Sequence, residues 1–509
     1  MFAKVKHLSL NLVVYGMGDV AVSIAGFCLL PLFTRILSES DYGVIYLLLT
    51  VELVAKVVFR WGVDASFMRL YYDCHDDRSR RRLASTIFLF LLAVNGAILA
   101  LALGATPFIA RRLFDEGGHG RLVALVLVNT FVGGFFFIPF HVLRMERKSL
   151  QFSALTFSRA VSTLVLRVLL VAVARLGVLG FILPDIIVTS VFAVVLARWF
   201  AGMVRPTFSM EVLRQALRFG LPRVPHGVAQ QVMGPGTDAA LLRALLPPVP
   251  DPKPKIGVYG MGMTFGLILK FFLSAFEYAW APFYFETMKE ADAKVTFSRI
   301  TTYGVAALVF MTAGLSAIAF DLLRLVLRGF AQAAPVVPWI AIGVTFQGVY
   351  LLTSIGLNIT KRTRYYPIAT GITAAVNVGC NIVLIPRYGI LGPAYSNVIS
   401  YATLAAISMY FSQRCYPISY EWNRLARVVL AGVIAYGLAT WPLPALMHSL
   451  VGVLVRATIV AVAFPGCLAL TGFFRNRELA RLRQLVRAIT SARPRRKPAE
   501  AEEPEETPQ

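Results

Sequence analysis

Charged residues are scarce in this sequence of 509 residues: they make up 15% of it, whereas soluble globular proteins carry about 25%. Hydrophobic residues make up 57%, and the mean hydropathy is +0.67. A soluble chain of this length would form about three domains, but this composition excludes a soluble fold. The sequence predicts an all-α polytopic membrane protein.

Cysteine and the common catalytic motifs are also scarce. The five cysteines are scattered without CxxC spacing, so we expect neither a disulfide nor a metal site. The sequence contains no GxxxxGK[ST] loop, no HExxH and no Cys/His ligand pattern. These absences exclude an ATP site of that type and disfavour an enzyme. We expect no cofactor, and transport driven by an ion gradient or by membrane potential.

Acidic residues are few, 27 against 50 Lys and Arg, which gives a net charge of +23. A nucleic-acid-binding protein would gather these cations into one patch. Here they form short clusters between apolar runs, so we expect no nucleic-acid partner and a chain embedded in the lipid bilayer. The loops on the N-terminal side of the membrane carry about three times as many Lys and Arg as the others. This asymmetry predicts that both termini are cytoplasmic.

Apolar segments recur along nearly the whole chain. A membrane-spanning helix needs about 20 mostly apolar residues, and we count about fourteen such segments. The N-terminal residues fit an uncleaved first span better than a signal peptide. The predicted spans are 9–34, 42–62, 83–106, 122–142, 151–174, 178–199, 219–246, 256–282, 299–320, 334–357, 365–385, 391–412, 426–444 and 450–473.

Two short matches indicate an internal duplication. The pattern Arg-x-Gly-[Val/Ile]-Leu-Gly at 175–180 recurs 212 residues later at 387–392, and Gly43-Val44 recurs 214 residues later as Gly257-Val258. We therefore predict two six-helix lobes related by a pseudo-twofold axis along the membrane normal, plus two extra C-terminal helices. The predicted units are 1–205, 206–415, 416–474 and 475–509, the last a basic amphipathic cytoplasmic segment with a disordered acidic tail.

Ionisable residues inside the predicted spans are the most informative, because each costs about 2.5 to 3.5 kcal/mol at a helix centre and usually faces a cavity or a partner. On span 2, Glu52, Lys56 and Arg60 follow one helix face. On span 5, Arg159 and Arg167 also share a face. Guanidinium and ammonium groups are the usual partners of phosphate. These cations therefore indicate a cavity for an anionic headgroup.

A second interpretation of these charges stays open. Glu52 with Lys56 forms an ordinary i, i+4 ion pair, and Lys270 on span 8 has Glu277 seven residues away. Arg60 and Arg159 are near enough to span ends to extend towards water. The sequence alone does not decide between a binding cavity and internal pairing.

Several short strings are spread over nearly the whole chain. They are Asp41-Tyr42-Gly43, Arg218-Phe219-Gly220-Leu221-Pro222, Ser274-Ala275-Phe276 with Ala279-Trp280 and Pro282-Phe283, and Asn377, Asn381 with Pro386-Arg387-Tyr388-Gly389-Ile390-Leu391-Gly392. In their order and spacing, more than in any one string, the chain resembles the polysaccharide flippases of the multidrug/oligosaccharidyl-lipid/polysaccharide exporter (MOP) superfamily.

The resemblance implies two lobes in a V that alternate access in a bacterial cytoplasmic (inner) membrane. It also implies that an undecaprenyl-diphosphate-linked oligosaccharide moves from the cytoplasmic to the outer leaflet, with a polysaccharide polymerase as a plausible partner. In such proteins, cations on spans 1, 2 and 8 meet the diphosphate. Lys56, Arg60 and Lys270 fit spans 2 and 8, but span 1 offers Arg35 only at its far end.

The resemblance also implies an ion site. Some relatives, notably lipid II flippases, bind sodium between spans 7, 11 and 12. Here Asp238, Asn377 and Asn381 could supply oxygen ligands to sodium, with Asn397 on span 12 approaching them. The alternative is ordinary hydrogen bonding between helices.

Two other functions remain open at this point. A multidrug-type cation antiporter shares the two-lobe plan, but it usually has twelve spans, and cationic drugs favour an acidic cavity. An integral membrane polymerase or acyltransferase needs a sizeable outside loop, and the loops here are short. We expect a flippase rather than an enzyme.

Overall fold

The computed structural model describes residues 24–114, 117–146, 148–247, 250–327, 329–440 and 450–474, and those residues are almost entirely helical. The predicted start of the first span and the predicted basic segment and tail at 475–509 lie outside the described residues. The predicted all-α fold is confirmed. It follows from apolar runs of span length, since helices satisfy their own backbone polar groups in lipid.

The first half of the chain forms helices joined by short connections. They are α1 (Ile24–Phe33), α2 (Glu39–Arg60), α3 (Val63–Asp73), α4 (Asp77–Gly104), α5 (Thr106–Phe114), α6 (Gly120–Gly133), α7 (Phe137–Met145), α8 (Ser149–Val168) and α9 (Gly177–Met203).

The second half is also helical, and its helices are interrupted more often. Its helices are α10 (Met210–Gly220), α11 (Val224–Val232), α12 (Pro235–Leu245), α13 (Lys253–Gly266), α14 (Ile268–Thr287), α15 (Ala293–Val326), α16 (Val336–Thr353), α17 (Ile355–Ile359), α18 (Tyr365–Tyr388), α19 (Leu391–Cys415), α20 (Trp422–Thr440) and α21 (Leu450–Leu470).

The predicted count of fourteen spans is not confirmed. Within the described residues, 9 helical segments are long and apolar enough to cross a membrane, or 10 if the bent pair Lys253–Gly266 and Ile268–Glu277 forms one span. The remaining predicted spans fall short for identifiable reasons. The described part of the first predicted span is short. The seventh predicted span is broken near Pro222 and Pro235 into α10, α11 and α12. Helices α19 and α20 are not among the segments that are long and apolar enough to cross a membrane. Proline lacks the N–H that a continuous helix requires.

Helices α2 and α13 cross with their backbones in contact. A Cβ atom on Gly43 would overlap the carbonyl oxygen of Lys253, and a Cβ on Gly257 would overlap that of Glu39. Gly43 and Gly257 are 214 residues apart, as are Glu39 and Lys253. The crossing is therefore two-fold symmetric at one of the offsets found in the sequence. Only glycine permits such a close approach of two helices.

The other sequence match has a structural counterpart as well. Gly177 and Gly389 both adopt a left-handed backbone with φ 57° at the turns before α9 and α19. A side chain would strain the backbone there. These paired turns and the α2–α13 crossing support the internal duplication, while the exact unit boundaries stay a prediction.

A kink separates α2 from α3. Trp61 and Gly62 take φ values of 50° and 67°, and such a conformation costs a non-glycine residue about 1–3 kcal/mol. Asn95 of α4 holds the kink: its Oδ1 accepts a hydrogen bond from Trp61 Nε1 at 2.9 Å, and its Nδ2 donates to the Phe59 carbonyl at 2.9 Å. The kink therefore lies directly after Arg60, at the end of the cation-bearing helix.

Helix α10, which connects the two halves of the chain, docks on this kink. A Cβ on Gly62 would overlap the Gly220 carbonyl oxygen, and a Cβ on Gly220 would lie 2.7 Å from the Gly62 carbonyl. Ser66 Oγ also donates to the Ala216 carbonyl at 2.7 Å. The connecting helix is thus packed against the N-terminal half.

The last two helices pack on α15. Arg456 of α21 forms an ion pair with Asp321 of α15, with Nε 3.0 Å from Oδ2, and Asp321 is fully buried. Arg424 of α20 lies between the rings of Tyr303 and Phe473, 5.3 and 4.3 Å from their centroids. Polar contacts at two depths therefore attach this pair to α15.

The α2–α13 crossing gives a direct test. We expect Gly257→Ala to lower the free energy of unfolding by about 1–3 kcal/mol, because its Cβ meets a backbone carbonyl that cannot move aside alone. Thermal unfolding of the purified protein in detergent measures this. Gly371→Ala and Gly437→Ala are matched controls, since a Cβ at either position has no neighbour within 4 Å. Equal melting of Gly257→Ala and the controls would contradict the close crossing.

Candidate functional site

A cavity of about 650 Å³ opens inside the N-terminal half, between α2, α6, α8 and α9. A second volume of about 290 Å³ adjoins it and shares Glu52, Asn129 and Arg159 with it. The polar residues lining the two are Glu52, Lys56, Arg60, Asp64, Asn129, Thr130, Thr156, Arg159, Thr163, Arg167 and Asp185.

Four of the five predicted cavity cations line these volumes. Lys56 and Arg60 face the smaller volume, Arg167 faces the larger, and Arg159 lines both. Lys270 on α14 is exposed and lines neither volume. The structure therefore brings the cations of spans 2 and 5 together within one half of the protein, and a site shared by spans 2 and 8 stays a prediction.

Two of the four cations are compensated by carboxylates. Lys56 Nζ lies 2.5 Å from Glu52 Oε1, the i, i+4 pair that the sequence allowed. Arg167 donates to both carboxylate oxygens of Asp185 at 3.1 and 2.9 Å, and its Nε donates to the Phe181 carbonyl at 3.1 Å. The Arg167 guanidinium also lies 4.1 Å from the centroid of the Phe181 ring. Arg167 is thus held rigidly on its neighbours from α9.

The other two arginines are not held by a carboxylate. Arg159 donates to Thr189 Oγ1 at 3.1 Å and lies 5.0 Å from the Phe136 ring centroid. Arg60 is exposed at the C-terminal end of α2, where the helix dipole favours a cation. Among the described residues, neither forms an ion pair shorter than 4.0 Å. Guanidinium groups that lack a carboxylate partner can bind an entering anion.

The smaller volume is cationic overall. Three cations line it against two carboxylates, those of Glu52 and Asp64. Gly133 and Gly134 form part of its wall, and a Cβ at Gly133 would lie 3.9 Å from Arg159 Nη2. Glycines at this point leave the guanidinium uncovered on the cavity side.

Asp238, the predicted ion ligand on α12, is fully buried. Its Oδ2 accepts a hydrogen bond from the Tyr259 hydroxyl at 2.5 Å, while its Oδ1 has no hydrogen-bond partner among the residues that the structure describes. Tyr401 of α19 lies near enough to interact electrostatically with this carboxylate. A buried carboxylate oxygen without a partner is costly unless a proton or a cation reaches it.

The predicted asparagines lie in the same region of the C-terminal half. Asn377 and Asn381 of α18 are fully buried: Asn377 Nδ2 donates to Ser400 Oγ at 3.1 Å, and Asn381 Nδ2 donates to Asn377 Oδ1 at 3.2 Å. Within the described ranges, the Oδ1 atom of Asn381 has no hydrogen-bond partner. Asn397 is buried nearby on α19, and its Oδ1 faces Gly343 of α16.

The structure therefore joins some of the predicted ion ligands and not others. Asn377 and Asn381 are bonded to each other, and α12 packs against α18. Among the described residues, no hydrogen bond links Asp238 to either asparagine. Within the same part of the chain, no group of three or more His, Cys, Asp or Glu residues has a metal-binding arrangement.

Sequence reasoning missed the supporting residues. Tyr259 and Ser400 hold Asp238 and Asn377, and Thr189 positions Arg159. The one usable signal was on α19, where Ser396, Asn397 and Ser400 fall within two turns of a helix in an otherwise apolar region. Tyr259 and Thr189 carry no such pattern, because single Tyr and Thr residues are common in membrane helices.

Comparison with known proteins agrees with this architecture. The model of a family described as polysaccharide biosynthesis protein matches residues 32–238. The fold is similar to that of the lipid II flippase MurJ in an inward closed conformation, with a TM-score of 0.68 at 15% identity over 92% of this chain and 99% of that one. Comparison with curated protein sequences gave no significant match.

Two MATE structures have the same fold at lower similarity. One, in complex with MaD5, has a TM-score of 0.54 at 14% identity over 82% of this chain and 96% of that one. The other, an inward-facing multidrug resistance transporter of the MOP superfamily, has a TM-score of 0.52 at 13% identity over 82% and 95%. These structures are of transporters and a flippase rather than enzymes.

The family match covers the half that contains the cation cavity, and the fold match covers nearly the whole chain. Together they show the fold of the chain and the similarity of its N-terminal part to that family. This integral membrane protein therefore has a MurJ- and MATE-like fold, and its residues 32–238 are similar to the polysaccharide biosynthesis protein family, in agreement with the resemblance found in the sequence.

Proposed function

We propose that the protein is a flippase that moves an undecaprenyl-diphosphate-linked oligosaccharide from the cytoplasmic to the outer leaflet for cell-surface polysaccharide synthesis. It works by alternating access without ATP hydrolysis. The observation that carries the proposal is the pair of arginines, Arg60 and Arg159, that line a cationic cavity and form no ion pair within the described part of the chain. A polysaccharide family match over the same half supports it.

The diphosphate is the chemically distinctive part of such a cargo. Two guanidinium groups offer paired N–H donors to phosphate oxygens. Arg60 and Arg159 are the candidates for that contact, whereas Lys56 and Arg167 already face Glu52 and Asp185. The compensated cations would shape the cavity and limit its net charge, so that an anion is bound and then released.

The interface between α2 and α13 is closed at the end where Gly43 and Gly257 lie in contact, and closure at one end supports an alternating-access mechanism. At that end the Tyr46 hydroxyl donates to the Gly260 carbonyl at 2.6 Å, and Thr50 Oγ1 donates to the Gly236 carbonyl at 2.6 Å. Lys56 and Arg60 lie further along α2, beyond this closure. The Lys/Arg distribution assigns the closed end to the outside, so the cavity would receive cargo from the cytoplasm. Both termini are then cytoplasmic, in a bacterial inner membrane.

The buried polar cluster of the C-terminal half would couple transport to an ion. Asp238 Oδ1 and Asn381 Oδ1 are buried oxygens without hydrogen-bond partners. Carboxylate and amide oxygens suit a hard cation such as sodium, and a carboxylate alone suits a proton. A sodium ion or proton bound at Asp238 would change how α12 packs against α18. That change would in turn affect whether the two lobes are open or closed towards each other.

A second function is a multidrug-type cation antiporter. The observation that favours it is the set of carboxylates in the same cavities, from Glu52, Asp64 and Asp185, together with the MATE-like fold. It ranks second because two of these carboxylates face their own cations, which leaves little negative charge for a cationic drug. A polysaccharide polymerase as a partner also remains a proposal.

Transport of a labelled undecaprenyl-diphosphate oligosaccharide across proteoliposomes tests the main proposal. We expect Arg60→Gln and Arg159→Gln each to lower the rate about ten-fold or more, since each removes a charge-assisted hydrogen bond. Arg198→Gln is the control: it removes the same charge from an exposed position on α9. Lys270→Ala in the same assay tests whether α14 contributes.

Two results would oppose the proposal. Wild-type rates in both cavity variants would remove the two arginines from diphosphate binding. A wild-type protein that moves no lipid-linked sugar but exchanges a small organic cation for protons would place the antiporter first.

The Arg167–Asp185 pair is expected to be structural. Arg167→Gln alone leaves the Asp185 carboxylate without its guanidinium, whereas Arg167→Gln with Asp185→Asn removes both charges. We expect the double variant to regain much of the stability lost in the single one, with a coupling of about 0.5–3 kcal/mol. Thermal unfolding of the four proteins of this cycle measures the coupling. Additive losses would show that the pair contributes no mutual stabilisation.

Asp238→Asn tests ion coupling. The amide keeps the shape of the side chain and an acceptor for Tyr259 but cannot carry the negative charge, so we expect sodium- or proton-dependent transport to be abolished while the protein folds. Asp251→Asn, in an exposed loop, is the control. Unchanged dependence of the rate on the ion gradient in Asp238→Asn would exclude this residue from coupling.

A further inference from the structure

We propose that α10 is a docking surface for anionic phospholipid headgroups of the cytoplasmic leaflet. The helix has two faces. Ala216 and Gly220 are buried on the face that packs against the kink and α3. The other face is uncovered, and it carries apolar residues beside arginines.

The uncovered face forms a groove of about 530 Å³. Met210 and Leu221 are 66% and 44% exposed there, which is unusual for large apolar side chains next to water. Arg214 and Arg218, one helical turn apart, are exposed beside them. The groove is lined by Met210, Leu213, Arg214, Leu217, Arg218 and Leu221.

The surroundings of α10 add positive charge. Arg69 lies 5.0 Å from the Phe219 ring centroid, and Arg82 donates to Ser209 Oγ at 3.0 Å. Among the described residues, no ion pair involves Arg214 or Arg218. Apolar side chains flanked by unpaired arginines on one helix face match a lipid with a negative headgroup: the phosphate meets the guanidinium groups and the acyl chains cover the apolar residues.

The position of α10 favours lipid over a protein partner. It begins seven residues after α9 ends at Met203 and leads through Leu221–Arg223 into the broken helices α11 and α12. A short helix between two membrane segments lies at the level of the headgroups. The Lys/Arg distribution assigns this level to the cytoplasmic side, where anionic lipids attract basic segments.

Lipid on this surface would act on the cavity through two glycines. Gly220 of α10 contacts the backbone of Gly62, and Gly62 belongs to the kink that follows Arg60. A lipid that fixes α10 therefore fixes the end of the cation-bearing helix. The surface itself is independent of the cargo and of the proposed transport function.

The test is lipid retention by the full-length purified protein, measured by native mass spectrometry. The protein is exposed to equal amounts of phosphatidylglycerol and phosphatidylcholine. We expect wild type to retain phosphatidylglycerol preferentially. The ratio of retained phosphatidylglycerol to phosphatidylcholine should fall about five-fold for each arginine removed in the variant Arg214→Gln with Arg218→Gln.

Arg78→Gln with Arg81→Gln is the matched control, because both residues are exposed on the same side of the membrane outside the groove. Met210→Asp keeps both arginines but places a negative charge in the apolar groove, and it should lose lipid as well.

Three results would overturn the proposal. They are equal retention of both lipids by wild type, equal losses in the groove variant and the control, and full retention in Met210→Asp. Because the readout is binding, a flippase assay that fails leaves this result unaffected, and the reverse also holds.

Discussion

The contact between α2 and α13 is the constraint on which the rest of the structure depends. Two helices approach until the backbone of each fills the space of a side chain on the other, which is possible only because Gly43 and Gly257 have none. The contact is two-fold symmetric, so the two halves of the chain contribute equivalent residues to the closed end of the α2–α13 interface. Tyr46 adds a hydrogen bond to the Gly260 carbonyl of α13, and Thr50 adds one to the Gly236 carbonyl of the adjoining α12. With that end closed, the space further along α2 is left for a cavity.

The cavity shows how a membrane protein carries many charges at moderate cost. A charge in lipid is expensive alone, and it becomes tolerable when a partner or water is near. Lys56 and Arg167 have carboxylate partners, and Arg159 has a hydroxyl and an aromatic ring. The positive charge left uncompensated lies next to the open volume. This distribution agrees with the proposed role of the cavity, which is to attract an anion without holding it permanently.

The two halves of the chain divide the polar chemistry between them. The N-terminal half holds the cation cavity, and the C-terminal half holds the buried oxygens of Asp238 and Asn381. Helix α2 packs against both α12 and α13, so a change of packing at Asp238 reaches the cation-bearing helix directly. The kink at Trp61 and Gly62 then links the same helix to α10. One helix therefore connects the cavity, the proposed ion site and the connecting segment.

The sequence by itself determined the fold class, the duplication offsets and most residues of the candidate site, because apolar length, charge inside apolar runs and repeated glycine turns are local properties. It did not determine the number of spans, since prolines broke the seventh segment, nor the place of Lys270, which follows the motif but lines neither described volume. Only the tertiary structure decided which cations are neutralised. Lys56 pairs with a carboxylate four residues away, which the sequence spacing allows. Arg167, in contrast, pairs with Asp185 on another helix, and Asp238 of α12 accepts a hydrogen bond from Tyr259 of α13. Partners of that kind are chosen by helix packing, and packing depends on shape complementarity along whole helices, which no short pattern of residues records.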